Sequence, residues 1–416
     1  MKTNRRVVLI GFYQEKALGV RYLANAVERR GYEPHIMLFK CFQSRNPAPA
    51  TQRELQLLGQ LLEELDPCFT GLSVMSSLYL ETVNQVAPQV RRHTRGAVGW
   101  GGVFATLVPQ AAAGQCDMVL RGEGERTLPD LLDRLESGAE WRDLPGVAYW
   151  DPEGRLVENP LPPLEQDLDQ LGAPAIGRGA YYVIEGDRCR RGDPQLGAFT
   201  YELSASRGCP FQCSYCSSVC LRRLYPGQRY IRFRSVDSVM DELNEAKRRL
   251  PRLRVVHFWD EIFSDEPGWV EAFARRYKEE IGLPFRIWGH PLKVHERVIR
   301  HLVDAGLNQI VVGIQSGSPR VRREVFHRNE SQEQIRNAAQ ILHQCRVPRI
   351  VYDLMLCHPF ERPEDRAQTL ELCRTLPGRF HLEIHGLNFL PATDIVGMAL
   401  QAGYYTPEEM ESMLYA

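Results

Sequence analysis

No run of this 416-residue sequence approaches the roughly 18 consecutive apolar residues that a membrane helix needs. The apolar stretch Arg6 to Phe12 breaks at Tyr13-Gln14-Glu15-Lys16 without the small-residue ending of a signal peptide. It therefore reads as a first buried strand, and the expected location is cytoplasmic. Charge of one sign is also lacking: 51 Lys and Arg against 52 Asp and Glu leave a net charge of −1. That removes a general pull toward nucleic acid or anionic membrane. The short basic runs Arg222-Arg223 and Lys247-Arg248-Arg249 read as solvated helix faces. Neither a G-x-G-x-x-G after the first strand nor a Walker lysine motif is present, which weakens a nucleotide reading. Short-period repeats and low-complexity segments are absent. An even cysteine count is missing as well. Of 11 cysteines, those at 41, 68, 116, 189, 345, 357 and 373 stand alone, while those at 209, 213, 216 and 220 sit together. In a cytosolic chain this argues against a disulfide framework and for a metal site.

What is present is alternation. Strand patterns at RVVLIGF (6–12), PHIMLF (34–39), FTGLSVM (69–75), AVGW (97–100) and DMVL (117–120) are separated by helical ones such as ALGVRYLANAVERRGY (17–32). The class is α/β, and residues 1–150 read as a doubly wound, Rossmann-like domain with a parallel sheet covered on both faces. GVAYW and RLVEN around the turn Asp151-Pro152-Glu153-Gly154 read as a hairpin. Residues 151–196 are assigned to an interdomain linker region, part of it packed on a domain, because 160–196 is rich in Pro, Gly and Asp. A second series runs from FTYELSA (199–205) through RVVHFW (254–259), PFRIWG (284–289), NQIVVGI (308–314) and PRIVYDLML (348–356) to RFHLEIHGLNFL (379–390), with helical stretches between. It predicts a partial (β/α)6 barrel over 197–392, with its chemistry at the C-terminal strand ends. Residues 393–416 form a short C-terminal segment.

The strongest motif is Ser206-Arg207-Gly208-Cys209-Pro210-Phe211-Gln212-Cys213-Ser214-Tyr215-Cys216, a CxxxCxxC just after the first strand of the second series. Cys209, Cys213 and Cys216 on one short loop suit three irons of a cubane, leaving one iron free for a small molecule. Structural zinc needs four ligands, commonly as two pairs. Cys220 could supply a fourth, but no second pair exists, and Cys220 is read as a non-ligand. With Tyr215 before the last cysteine, the motif resembles the radical S-adenosylmethionine (SAM) superfamily. The resemblance implies a [4Fe-4S] cluster whose unique iron chelates SAM, and reductive cleavage of SAM to a 5′-deoxyadenosyl radical. It also implies SAM contacts. Asp260 and Glu261, ending the second barrel strand, are candidates near the amino group. Gln315 and Ser316 of Gly313-Ile314-Gln315-Ser316-Gly317-Ser318 are candidates near the ribose, and Arg234 is one for the carboxylate. Tyr215 completes the set.

In the first domain, small residues recur at strand ends, where doubly wound folds bind ligands. The stretches LGVRYLANAVERRGY, GLSV, GGVFAT and D-x-V-L-R-G-E-G-E together resemble the cobalamin-binding domain found ahead of many radical SAM domains. The resemblance implies cobalamin contacts from Tyr13, Gln14, Leu18, Gly19, Ser73, Ser76, Gly101, Gly102, Val103, Phe104, Gly122 and Glu123. The D-x-H-x-x-G motif, whose His ligates cobalt in the classical fold, is absent, as in the radical SAM subgroup. This implies base-off cobalamin with Tyr13, Gln14 or water facing the metal.

The reaction so implied is methylation of an unactivated carbon, with one SAM methylating cobalamin and a second generating the radical. The site substrate would be a small molecule, peptide or natural product, and a flavodoxin- or ferredoxin-type reductant would be needed. Alternatives are another cobalamin-dependent radical reaction, such as tetrapyrrole ring formation, a methylthiotransferase acting on transfer RNA, and a non-enzymatic cluster or cobalamin sensor. The methylthiotransferase class carries three further cysteines and a C-terminal nucleic-acid-binding domain. No catalytic side chain beyond the cluster is identified. Trp288, His290, Tyr352, Asp353, His358, His385 and Asn388, at barrel strand ends, are candidates for lining the substrate space.

Overall fold

The computed structural model describes residues 4–14, 16–41, 48–174, 176–177 and 179–415; Glu15 of the first loop lies outside them. The chain opens on β1 (Arg6–Phe12), α1 (Leu18–Arg29), β2 (Glu33–Phe39), α2 (Gln52–Leu65), β3 (Phe69–Ser73), α3 (Leu80–His93) and β4 (Ala97–Gly101). There follow α4 (Val103–Leu107), β5 (Met118–Leu120), α5 (Gly124–Ser137), β6 (Val147–Trp150), β7 (Leu156–Glu158), β8 (Ala180–Glu185) and β9 (Arg188–Arg191). They build one nine-stranded sheet in the order β7-β6-β5-β4-β3-β1-β2-β8-β9. Its strands run parallel from β5 to β8, with antiparallel edges. β1 is an unbroken apolar run because helices cover both faces: Val7 and Leu9 meet α1 and α5, while Val8 and Ile10 meet α2 and α3. α2 begins with a reciprocal cap, Thr51 accepting from the Glu54 N–H and Glu54 from the Thr51 N–H.

The linker assignment is corrected here. β7 extends one edge of the sheet and β8–β9 the other, so much of 151–196 is sheet. β8 (AYYVIE) lies parallel beside β2, and the connection is cinched by Arg21 of α1 on Asp193, two side chains each 2% exposed. Asp193 also accepts from the Gly177 and Gln195 N–H groups, and Arg21 donates to the Tyr181 hydroxyl.

The second half contains β10 (Thr200–Leu203), β11 (Ser206–Arg207), α6 (Ser217–Arg223), β12 (Arg232–Phe233), α7 (Val236–Arg249), β13 (Val255–Phe258), α8 (Pro267–Arg276) and β14 (Phe285–Gly289). It continues with α9 (Glu296–Ala305), β15 (Leu307–Gln315), α10 (Gln332–Gln344), β16 (Arg349–Met355), α11 (Pro363–Thr375), β17 (His381–His385), α12 (Asp394–Gln401) and α13 (Pro407–Tyr415). Six parallel strands run in chain order, β10-β13-β14-β15-β16-β17, and the outer two do not meet, so the barrel is open. Strand alternation divides the faces. Tyr201, Leu203, Val256, Phe258, Ile310, Val312 and their neighbours pack outward in one core under the helices. Glu202, His257, Arg286, Trp288 and Asp353 occupy the opposite, inner face. The C-terminal segment is not an appendage: Ile395, Ala399, Met410 and Leu414 pack on Val321, Val325 and Phe326. Among the described residues no helix is long and apolar enough to cross a membrane.

The Arg21–Asp193 pair supplies a test of the edge. Arg21→Ala leaves a buried carboxylate uncompensated and should lower stability in urea unfolding by about 3–5 kcal/mol, whereas the apolar double variant Arg21→Met, Asp193→Leu should recover most of the loss.

Candidate active site between the two domains

The cysteine loop leaves β10 and crosses β11, which pairs antiparallel with β12. Its irregular backbone is held by partners from several elements. Gly208 has φ +96, and a Cβ there would lie 2.5 Å from the Tyr230 carbonyl oxygen, so only glycine fits. The Gly208 N–H donates to Glu261 Oε2 at 2.8 Å, and the Ser218 hydroxyl to Glu261 Oε1 at 3.1 Å. Asp260 accepts from the Ala205 N–H at 3.1 Å and from the Ser206 hydroxyl. Burial lifts the Asp260 carboxyl to about 6 against these bonds. Ser214 donates to the Phe326 and Val325 carbonyls, and its own carbonyl accepts from the Ile395 N–H. Arg222 donates to the Cys209 and Pro210 carbonyls.

Burial pushes the Cys209 thiol up to about 11 and the Cys216 thiol up to about 12. Thiols so placed ionise when a metal takes the charge. Cys220 donates to the Ala392 carbonyl.

Among the SAM candidates, Tyr215 packs edge-on against Phe326, with its hydroxyl 3.4 Å from Arg328 Nη1. Gln315 has a left-handed backbone, φ +65, at a register shift in β15, and its Nε2 donates to Asp353 Oδ2 at 3.0 Å. A non-glycine residue held there stores strain of the kind found at functional sites. Asp260 and Glu261 are engaged by the loop itself. Two further candidates are held by partners within the protein, and of these Arg234 lines the cavity between the domains. Arg234 is neutralised by the buried Glu242 and donates to Ser238 and the Ser204 carbonyl, because α7 brings Glu242 beneath it. Ser316 is fully buried against Thr369, and its hydroxyl accepts from the Ser318 N–H. A guanidinium beside a cysteine thiol belongs to Arg328, 5% exposed, with Nη1 3.9 Å from Cys213 Sγ. It also donates to the Gly313 carbonyl and to Glu330. No motif marks it in the sequence.

A cavity of about 390 Å3 opens between the two domains. Its first-domain lining includes Leu18, Gly19, Ser73, Gly101, Gly102, Val103, Gly122 and Glu123. From the barrel come Ser204, Ser206, Arg207, Tyr225 and Tyr230. Gly102 has φ +99 and a Cβ there would meet the Val74 carbonyl at 2.6 Å. Gly71 and Gly99, not anticipated, hollow the sheet beneath α1 and α5. A Cβ at Gly99 would lie 2.9 Å from the Phe69 ring, so any side chain would crowd the cavity floor. Four cobalamin candidates do not line this cavity. Tyr13 is buried toward α3, its hydroxyl on Thr82 and the Ala48 carbonyl and its ring stacked on Tyr79. Gln14 is exposed. Ser76 caps the turn at Leu78. Phe104 points into the core on the opposite face of the sheet. The cavity walls are locked together by Glu123 on Arg232 (2.6 Å) and Arg207 (3.3 Å), by Glu125 on Arg207, and by Lys16 Nζ on Glu202 Oε1 (2.7 Å). Burial alone would raise the Glu123 carboxyl, but the two guanidinium groups hold it below the usual range.

Residues 8–132 match the B12 binding domain and residues 203–373 the radical SAM superfamily. The chain belongs to the cobalamin-dependent radical SAM enzymes. It is 28% identical over 272 residues to an uncharacterized methyltransferase of Pyrococcus horikoshii, covering 64% of this chain and 55% of that one. It is 24% identical over 348 residues to the cytidylyl-2-hydroxyethylphosphonate methyltransferase of Streptomyces wedmorensis, covering 74% and 63%. Identity to the anaerobic magnesium-protoporphyrin IX monomethyl ester cyclase of Rubrivivax gelatinosus is 26% over 343 residues, covering 78% and 56%. The chain thus spans little more than half the length of these curated relatives. The fold is shared with the radical SAM methyltransferase TsrM of Kitasatospora setae (TM-score 0.74, 17% identity, 96% of this chain and 76% of that one). It is shared also with the cobalamin-dependent enzyme OxsB (TM-score 0.71, 15% identity, 96% and 61%). The cofactors of the family are a [4Fe-4S] cluster, SAM and cobalamin, and the three thiols on one loop and the glycine-floored cavity fit the first and the last.

Two measurements follow. Gly99→Leu should reduce cobalamin retention on gel filtration at least tenfold, read from the visible spectrum, with iron content unchanged. Asp365 fastens the Ser316–Ser318 turn to α11, accepting from Ser318 Oγ at 2.5 Å, the Arg362 N–H at 2.9 Å, and Arg320. Burial opposes ionisation, yet these donors hold its carboxyl down at about 2. Its stabilising effect is therefore complete above the ordinary carboxylate pKa near 4 and is lost as pH falls toward 2. The melting-temperature gap between wild type and Asp365→Asn should be constant above about pH 5 and narrow on acidification.

Proposed function

We propose that this enzyme methylates an unactivated carbon of a small-molecule, peptide or natural-product substrate. The observation that carries the reading is the single cavity running from the glycine loops of the first domain to Ser204 and Ser206 at the root of the cysteine loop. When bound there, the cluster with SAM supplies hydrogen abstraction and cobalamin supplies the methyl group. The chain's own part is placement and exclusion of water. Cys209, Cys213 and Cys216 would hold the cluster. Arg328, buried beside Cys213, offers a fixed positive charge to an anionic group on that loop. Gln315 and Asp353 offer a hydrogen-bonding pair at the strand ends. Leu18, Val103 and Leu221 line the cavity with apolar surface. The salt-bridged wall of Arg207, Arg232 and Glu123 fixes the distance between the two halves. The reading carries with it a flavodoxin- or ferredoxin-type reductant and a cytoplasmic location. The similarity to cyclases over 78% of the chain supports a second reading, cobalamin-dependent ring formation, separable by product analysis.

The test uses anaerobically purified protein with reconstituted cluster and hydroxocobalamin. With SAM and reductant, stoichiometric retained cobalamin and formation of both S-adenosylhomocysteine and 5′-deoxyadenosine are expected. Production of 5′-deoxyadenosine alone, without retained cobalamin, would eliminate methyl transfer.

A further inference from the structure

Inside the barrel, three rings stand together on neighbouring strands. His257 and Trp259 lie 4.4 Å apart, centroid to centroid, and Trp259 and Trp288 5.9 Å apart. His257 and Trp288 are nearly parallel, 16° between planes at 6.5 Å. None of the three belongs to a hydrophobic core cluster, and Trp259 is 45% exposed. A tryptophan usually sits largely buried; this one presents its ring to the barrel interior. Beside the rings, the indole N–H of Trp288 is buried without an acceptor, and so is the Nε of Arg286. Among the described residues Arg286 has no carboxylate within ion-pair reach, whereas Arg21, Arg207, Arg232, Arg234 and Arg328 each have one. The nearest acid by register is Glu202, which flanks His257 as Arg286 does on its other side. Glu202 is already neutralised by Lys16. The inner wall at this level therefore carries one uncompensated positive charge. On the far strands Asp353 is engaged by Gln315 and His385 at 3.0 and 3.1 Å, and Glu383 stands beside it in register on β17, with two strands between it and β14.

We infer that this wall binds the planar aromatic part of a substrate whose anionic group pairs with Arg286; the inference rests on the methyl-transfer reading and names the substrate class for it. The near-parallel His257 and Trp288 rings favour a flat partner, each contact contributing about 0.5–1.5 kcal/mol beyond area burial, where an aliphatic chain would be met by leucine and isoleucine. A partly buried guanidinium with free donors selects a carboxylate or a phosphate. Lys16 lies on the loop after β1 and pairs with Glu202, so the wall adjoins the cobalamin-binding half at this point.

The test measures binding without turnover, so it is independent of whether methyl transfer occurs. The enzyme loaded with cluster, cobalamin and SAM, kept unreduced, is titrated calorimetrically with 2-naphthoate, 2-naphthyl phosphate, naphthalene-2-carboxamide and cyclohexanecarboxylate. One of the two anionic naphthalenes should bind at least tenfold more tightly than the carboxamide and than cyclohexanecarboxylate, and whichever it is identifies the anion. Arg286→Gln should abolish the preference over the carboxamide, and Arg286→Lys should restore part of it. Trp288→Leu should weaken all three naphthalenes at least fivefold. Iron and cobalamin contents equal to wild type certify that the variants are folded. No saturable binding of either anionic naphthalene, or an unchanged preference in Arg286→Gln, overturns the inference. Binding with the expected preference but no methylated product under reduction would leave it standing and count against the methyl-transfer reading instead.

Discussion

The loop from Arg207 to Cys216 has almost no regular structure, yet three thiols on it must be held in place. Each peptide group that helix or sheet would have satisfied needs another partner. Glu261 supplies two of these bonds, accepting from the Gly208 N–H and the Ser218 hydroxyl, and thereby ties the entry of the loop to the first turn of α6. Asp260, the residue before it, does the same for Ala205 and Ser206. Ser214 is held between the Val325–Phe326 carbonyls and Ile395, so the middle of the loop depends on the turn after β15 and on α12 together. The cysteine positions therefore depend on carboxylates at the end of β13, on a loop more than a hundred residues later, and on the C-terminal helices. None of these contacts is local.

The same ribbon registers the two domains. Arg207 lies two residues before Cys209, and Arg232 is its partner across the β11–β12 pair. Both reach Glu123, at the start of the helix that follows β5. Removing one partner from such a buried network leaves an uncompensated charge, whereas exchanging the whole network for apolar residues is often neutral. Its contribution is therefore to orientation. A guanidinium in fixed fork geometry sets distance and angle more narrowly than an apolar contact of the same area. The glycine loops that floor the cavity are thus placed relative to the cysteine loop through rigid bonds, and Lys16 on Glu202 adds a third point of attachment.

What could be read from sequence divides along the same line between local and non-local causes. The strands from β1 to β5 and the six of the barrel sheet were legible because burial on both faces, or strict alternation, is written in consecutive residues, whereas the short β11–β12 pair was not. The cysteine motif was legible by spacing. Gly101, Gly102 and Gly122 were legible because small residues stood immediately after strands. Tyr13 and Phe104 stood in the same loops but face the other side of the sheet; for Tyr13 the left-handed turn, φ 53, directs the side chain toward α3, and no sequence pattern reports that angle. Arg234 had the right chemistry and a nearer partner, since Glu242 lies two helical turns on. Arg328 had no motif and is defined only by what surrounds it. β8 and β9 were hidden by their setting: proline and glycine on both sides suggested a connection, while pairing with β2 made a sheet edge.

The inner face of the barrel shows where stability has been left unrealised. A closed barrel fills its centre with valine, isoleucine and leucine in layers. Here the inward positions carry Glu202, His257, Arg286, Trp288, Gln309 and Asp353 beside Val311 and Val351, and the main apolar layer lies outside, under the helices. Native proteins leave few buried polar atoms without a partner. Arg286 Nε and Trp288 Nε1 on β14 and Gln315 Oε1 on the neighbouring β15 are such atoms. Each costs free energy in the empty barrel, on the order of 1–3 kcal/mol for a neutral group and more for a charged one. Packing alone would have favoured aliphatic residues at all three positions. Open polar atoms on the inner face are what a site shaped for a polar, partly aromatic ligand requires, because the ligand supplies the bonds the protein withholds from itself.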